Sequence, residues 1–90
     1  MKRIHMIVSG HVQGVGFRFS AQQKAKECNV VGWVKNKSDG TVEIEAQGEN
    51  DRIHSYSEAI KHGPSPYAKV SEITIEELEP TNQFQTFEIR

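Results

Sequence analysis

From Gly10 to Arg18 the chain reads GHVQGVGFR, with three glycines between a strand-like run and a helix-like run and an arginine in the first helical turn. Glycine permits backbone conformations and close approaches that a Cβ hinders, so such a loop can aim successive N–H groups inward. The helix that follows adds free N–H groups and a partial positive charge, which suit an anion of phosphate size. Arg18 adds a full charge and a planar fork able to grip two phosphate oxygens. A helix N-terminus disfavours a cation by about 0.3–1 kcal/mol, and a bound dianion would reverse that penalty. The spacing is neither the GxxxxGK[ST] of a P-loop nor the GxGxxG of a dinucleotide site. On this loop alone, a tight turn and an anion site both remain open.

Asn36 stands just before a Lys-Ser-Asp-Gly turn. Its carboxamide can donate to one oxygen and accept from a water hydrogen, so beside a bound phosphoryl group it could hold a water in line. The plainer alternative is an asparagine bonded to its own backbone ahead of the turn. Other chemistry-bearing side chains point elsewhere. His5, His11, His54 and His62 lack ligand spacing such as HExxH and read as surface histidines. Glu43 and Glu45 share a strand face and read as solvated acids. Cys28 lies far from the N-terminus of its helix and reads as packing, as does Phe17. Trp33 also reads as packing, but the parity of residues 30–34 gives it no face.

The elements that must position Arg18 and Asn36 follow from periodicity. Ile4, Met6 and Val8 alternate over residues 2–9, which predicts a strand ahead of the loop from Gly10 to Gly16. Phe17, Ala21, Ala25 and Cys28 recur at helical spacing and predict a helix of about three turns. Residues 30–36 and 41–47 predict two strands joined by the Asp-Gly turn, with Val42, Ile44 and Ala46 on one face. Asn50 or Asp51 should cap a second helix with Ile53, Tyr56 and Ile60 buried, stopped by Gly63-Pro64. A fourth strand spans 69–78 through Val70, Ile73 and Ile75, and a short last one involves Phe84, Phe87 and Ile89. The three-residue steps in both suggest bulges.

This order predicts an α+β, ferredoxin-like βαββαβ two-layer sandwich: an antiparallel sheet, two helices on one face and a short extra C-terminal strand. In that arrangement strands 1 and 2 run parallel with strand 3 between them. Their carboxyl ends then emerge at one edge, roughly 10 Å apart, which brings the glycine loop beside Asn36.

Ninety residues are expected to form one domain, 1–90, with any site shallow or at an edge. Eleven Lys and Arg against 12 Asp and Glu give a net charge of −1, so no broad positive field awaits nucleic acid or an anionic membrane. The hydrophobic share of 36% and charged share of 26% fit a soluble globular domain. One cysteine excludes an intrachain disulfide, and a reducing compartment follows as the simplest setting. The N-terminal MKRIHMIVSGHV offers neither a signal-peptide core nor a membrane span, so a cytoplasmic location is expected.

GHVQGVGFR, GWVKNKSDGTVE at 32–43, Gly48 and GPSPYAKV at 63–70 closely resemble the acylphosphatases, over nearly the whole chain. The resemblance implies hydrolysis of the carboxyl–phosphate anhydride of small acyl phosphates, without metal or organic cofactor. It implies that Arg18 and Asn36 are catalytic and that the backbone of Gln13, Gly14, Val15, Gly16, Phe17 and Arg18 cradles the phosphate. The partners it implies are an acyl phosphate substrate and inorganic phosphate as product and competitor, with no nucleic acid or membrane and the protein a monomer. Departures at Phe19, Lys37, Ser38 and Tyr67 are expected to touch none of this chemistry, and whether Lys37 or His11 tunes binding is left open. A non-catalytic anion-binding module on the same fold is the competing reading. An RNA-binding domain of the same element order fits poorly with acids on strand 3. Acylphosphatase-like domains also resemble the N-terminal part of larger carbamoyl-transfer maturation proteins, for whose other domains 90 residues are too few.

Overall fold

The computed structural model describes residues 1–90. Its elements are β1 (Lys2–His11), α1 (Phe17–Glu27), β2 (Val31–Asn36), β3 (Val42–Gly48), α2 (Asn50–Lys61), β4 (Lys69–Leu78) and β5 (Phe87–Ile89). The five strands make one sheet in the order β4-β1-β3-β2-β5. β3 therefore lies between β1 and β2, as the ferredoxin-like order requires. The first four strands pair antiparallel. β5 departs from the expected all-antiparallel sheet by pairing parallel with β2. The chain leaves β4 at the end of the sheet where β2 begins, crosses that end, and can then only run alongside β2 in the same direction. Gln47 holds this crossing, because its carboxamide bonds both the N–H and the carbonyl of Thr81. Phe84 belongs to the crossing and not to a strand, so its three-residue step from Phe87 marks no bulge.

The β4 step does mark one. Ser9 pairs with Glu72 and Gly10 with Val70, which leaves Ser71 as the extra residue. Here Gly10 has φ +128, and a Cβ would fall 2.2 Å from the carbonyl oxygen of Lys69. Only glycine allows β1 to continue past the bulge to His11 and deliver the following loop to this edge.

The side chains of Ile4, Met6, Val8, Val34, Val42, Ile44 and Ala46 face the helices and are fully or almost fully buried. They meet Phe17, Ala21 and Ala25 from α1 and Ile53, Tyr56 and Ile60 from α2 in one cluster of 16 buried residues. Each large apolar side chain so buried contributes about 1.5–3 kcal/mol. Tyr56 also donates its hydroxyl to the Ala21 carbonyl at 3.1 Å, and burial pushes that hydroxyl's pKa well above its usual value. The bond fixes α1 one turn beyond its start. α2 starts without the expected side-chain cap: Glu49 is the cap residue, and Asp51 accepts only from the adjacent Arg52 N–H. No helix is long and apolar enough to cross a membrane.

The open sheet face is not merely solvated. Arg3 reaches Glu45 at 2.8 Å, and His5 reaches Glu43 at 2.6 Å with Lys35 at 3.6 Å. Expectations that Glu43 and Glu45 are simply solvated, and that His5 is a stray surface histidine, are thus corrected. Arg3 and His5 reach diagonally from β1 to acids on β3, Lys35 on β2 stands directly opposite Glu43, and all of these side chains except that of Lys35 are partly buried. Trp33 falls on this face opposite Glu45 and is covered by Arg90 and Lys35, at 5.1 and 5.6 Å from its ring centre. The His5 hydrogen bond, with the charges of His5 and Lys35, holds the Glu43 carboxyl below its ordinary value of 4.5 despite partial burial. A depressed carboxyl contributes stability above the unfolded-state pKa and loses it as pH falls through the folded-state value. Urea unfolding across pH should therefore show a smaller acid loss for Glu43→Gln than for wild type. Equal losses would mean that the pair carries no such linkage.

Candidate active site

Val42 is the partner of Val8 on one side and of Asn36 on the other. That double pairing sets the end of β1 and the end of β2 at the same edge. Asn36 follows Val34 at strand spacing, so its side chain lies on the helix side of the sheet, where α1 begins. A pocket of about 230 Å³ opens there, lined by Val12, Gly14, Gly16, Phe17, Arg18, Phe19, Asn36 and Ile89. Arg18 and Asn36, which come from separate motifs, are thus brought together.

The loop between β1 and α1 keeps its donors free. No main-chain N–H from Gln13 to Gly16 reaches a protein acceptor, and the first capping bond of α1 runs from the Ser20 N–H to the Gly16 carbonyl at 3.0 Å. Gly16 caps α1 in the left-handed region, φ +76, with no side-chain cap and no acid in the first turn. Nothing lies within 4 Å of where its Cβ would be, so the requirement for glycine is conformational and not steric. The free N–H groups and the helix dipole therefore act on the pocket unopposed.

Arg18 is half-buried and makes no ion pair with an acidic side chain. Its one hydrogen bond to the protein runs from Nη1 to the Arg90 main-chain oxygen at 3.3 Å. Most of the guanidinium's donors stay available. The Asn36 carboxamide forms no hydrogen bond to the protein, and its Oδ1 is buried without a partner. The turn is stabilised by Asp39 and not by Asn36: the Asp39 Oδ1 accepts from the Thr41 hydroxyl at 2.6 Å and the Thr41 N–H at 3.0 Å. These bonds lower the Asp39 pKa. Asn36 sits within the paired strand, too far back to serve the turn.

Of the expected cradle residues, Gly14, Gly16, Phe17 and Arg18 line the pocket, whereas Gln13 and Val15 are not among its lining residues. Neither His11 nor Lys37 is among the lining side chains. Phe19, expected to lie away from the chemistry, does line it.

Two polar side chains that hold the loop escaped the sequence reading. Gln13 Nε2 donates to the carbonyls of Lys37 and Thr41 at 2.8 and 2.9 Å, which ties the loop to the hairpin carrying Asn36. Ser65, only 5% exposed, donates its hydroxyl to the Val15 carbonyl at 2.7 Å. In a planar trans peptide the C=O and N–H point in opposite directions. Holding the Val15 carbonyl toward Ser65 therefore turns the Gly16 N–H away from it. The available signal was β4: its antiparallel pairing with β1 puts the Pro-bracketed Ser65 at the same edge.

A family model described as Acylphosphatase matches residues 4–89. The chain belongs to the acylphosphatase family. An acylphosphatase from Oceanobacillus iheyensis is 41% identical over 90 residues, covering 100% of this chain and 99% of that one. One from Bacillus velezensis is 45% identical, covering 99% and 98%. The crystal structure of an acylphosphatase from Bacillus subtilis superimposes with a TM-score of 0.95 at 42% identity, covering 100% of this chain and 99% of the other. Within this acylphosphatase fold, removal of the Ser65 tether should free the Val15–Gly16 peptide to rotate. Ser65→Ala is expected to cost about 1 kcal/mol of stability and to weaken inorganic phosphate binding several-fold by calorimetric titration. Unchanged phosphate affinity would leave Ser65 a purely structural role.

Proposed function

We propose that the protein hydrolyses the carboxyl–phosphate bond of small acyl phosphates to a carboxylate and inorganic phosphate. The observation that carries this reading is the convergence, in one pocket, of a guanidinium free of any acidic side chain, a carboxamide without protein partners and the N-terminus of α1. In this reading, N–H groups from Gln13 to Arg18 and the Arg18 fork hold the phosphoryl oxygens. Gln13 and Val15 contribute through the backbone, while the Gln13 side chain steadies the loop.

With its carboxamide turned so that the oxygen faces the pocket, a flip that no protein hydrogen bond opposes, Asn36 accepts a hydrogen bond from a water and directs its oxygen at phosphorus, in line with the leaving carboxylate. The P–O bond to water forms as the P–O bond to the acyl group breaks, and the bonding pair leaves on the carboxylate. The water proton passes to a phosphoryl oxygen and then to solvent. A carboxylate is a weak base and leaves readily, so positioning and charge stabilisation can suffice without a strong general base, metal or organic cofactor. The N–H donors are fixed before substrate arrives, which makes them effective as charge redistributes around phosphorus.

The reading extends to a single domain over residues 1–90 acting as a monomer in the cytoplasm. A lone cysteine suits a reducing compartment. Inorganic phosphate should compete as product. A net charge of −1 supplies no broad positive field for nucleic acid as a partner.

The decisive assay is hydrolysis of benzoyl phosphate and acetyl phosphate with EDTA present. Turnover well above the buffer rate is expected, and its absence from folded protein would favour a non-catalytic anion-binding module. Asn36→Ala should reduce kcat by at least about 100-fold, as expected for lost positioning, while inorganic phosphate still competes. Arg18→Lys should raise the phosphate inhibition constant about tenfold or more, because an ammonium cannot reproduce the bidentate fork. Retained turnover in Asn36→Ala, or wild-type phosphate affinity in Arg18→Lys, would remove the corresponding role.

A further inference from the structure

Two of the chain's five exposed large hydrophobic residues, Phe19 at 61% and Ile89 at 41%, line the same pocket as Arg18 and Asn36. Single exposed apolar residues need no explanation, but two from different elements meeting at one site do. We infer that Phe19 and Ile89 form an apolar wall for the acyl group, so that this protein favours acyl phosphates whose acyl part is uncharged and apolar, aromatic ones included. The inference rests on the hydrolase reading above and adds the substrate class.

The pocket is divided by burial. Val12 and Phe17, at 1% and 2% exposure, belong to the core and form its floor. With the phosphoryl group at the start of α1, the acyl group must extend outward, where Phe19 and Ile89 are the apolar surfaces left to meet it. In-line geometry also requires the leaving carboxylate to lie across phosphorus from the water on Asn36. A volume of about 230 Å³ falls below the roughly 300–1,000 Å³ usual for larger ligands, which suits a phosphoryl group and one small acyl group.

The wall is held firmly. β5 pairs Ile89 with Val34, and the Arg90 N–H donates to the Val34 carbonyl at 2.8 Å. Gln22 on α1 donates to the Phe87 carbonyl at 2.9 Å, which binds the helix carrying Phe19 to the strand carrying Ile89. Arg18 is the only charged lining residue, and it is engaged with phosphate in the proposed complex. A second carboxylate on the acyl group would therefore meet apolar surface with no cation among the lining residues to receive it, and would gain nothing from the wall.

The experiment compares kcat/KM for benzoyl, acetyl and succinyl phosphate in wild type, Phe19→Ala and Ile89→Ala. Wild type should prefer benzoyl to acetyl phosphate and use succinyl phosphate least well. Phe19→Ala should lower the benzoyl-to-acetyl ratio about tenfold, the range expected for lost hydrophobic discrimination, and Ile89→Ala should lower it less. An unchanged ratio in both variants, or a preference for succinyl phosphate, would overturn the wall. Calorimetric binding of a non-hydrolysable phenacyl phosphonate gives a readout independent of turnover. If Phe19→Ala weakens it while inorganic phosphate binding persists, the wall stands even where no substrate is hydrolysed, and only the hydrolase reading falls. Equal phosphonate affinity in wild type and variant would remove the wall by itself.

Discussion

The site depends on the register of β3. Val42 pairs with Val8 and with Asn36, and the same alternation buries Val8, Val34 and Val42 against the helices. A one-residue slip of β2 against β3 would expose the apolar set and turn Asn36 to the open face. The burial that stabilises the sheet thus also selects the orientation of the candidate water-positioning side chain. Little of the 90-residue chain has to be reserved for the site alone.

A loop with free N–H groups faces an opposing demand, because such donors tend to rotate toward any acceptor or toward water. Here the loop is restrained from several directions. Phe17 anchors it in the core, Gln13 ties it to the β2–β3 hairpin, and Ser65 holds the Val15 carbonyl from the segment before β4. Asp39 in turn stiffens the hairpin to which Gln13 is tied. The donors stay free because the carbonyls and side chains around them are occupied. Fixed donors of this kind stabilise charge without reorganising, the property the proposed phosphoryl chemistry draws on.

The C-terminal strand has a larger part than its three residues suggest. Its parallel pairing with β2 places Ile89 at the pocket, and Arg90 both covers Trp33 and meets Arg18 through its main-chain oxygen. The open face contributes rigidity through Arg3–Glu45 and His5–Glu43 pairs that span β1 and β3. Both features belong to the sheet's far side or edge, yet they brace the strands whose ends carry the site.

The sequence by itself determined the element order, the sheet order around β3, the β4 bulge and the meeting of the glycine loop with Asn36. Each follows from strong local periodicity combined with the few ways a βαββαβ chain can pack. It also located Arg18 and the loop donors, since three glycines before a helix are a local signal. Local patterns did not reveal the parallel β5, the ion pairs of Glu43 and Glu45, the face of Trp33 or the tethers from Gln13 and Ser65. Those depend on partners far away along the chain: the direction of the end crossing, cross-strand neighbours, and carbonyls presented by other loops. Phe19 and Ile89 show the difference most plainly. In sequence one is an exposed helix residue and the other the end of a short strand, and only their closeness in space makes them two sides of one pocket.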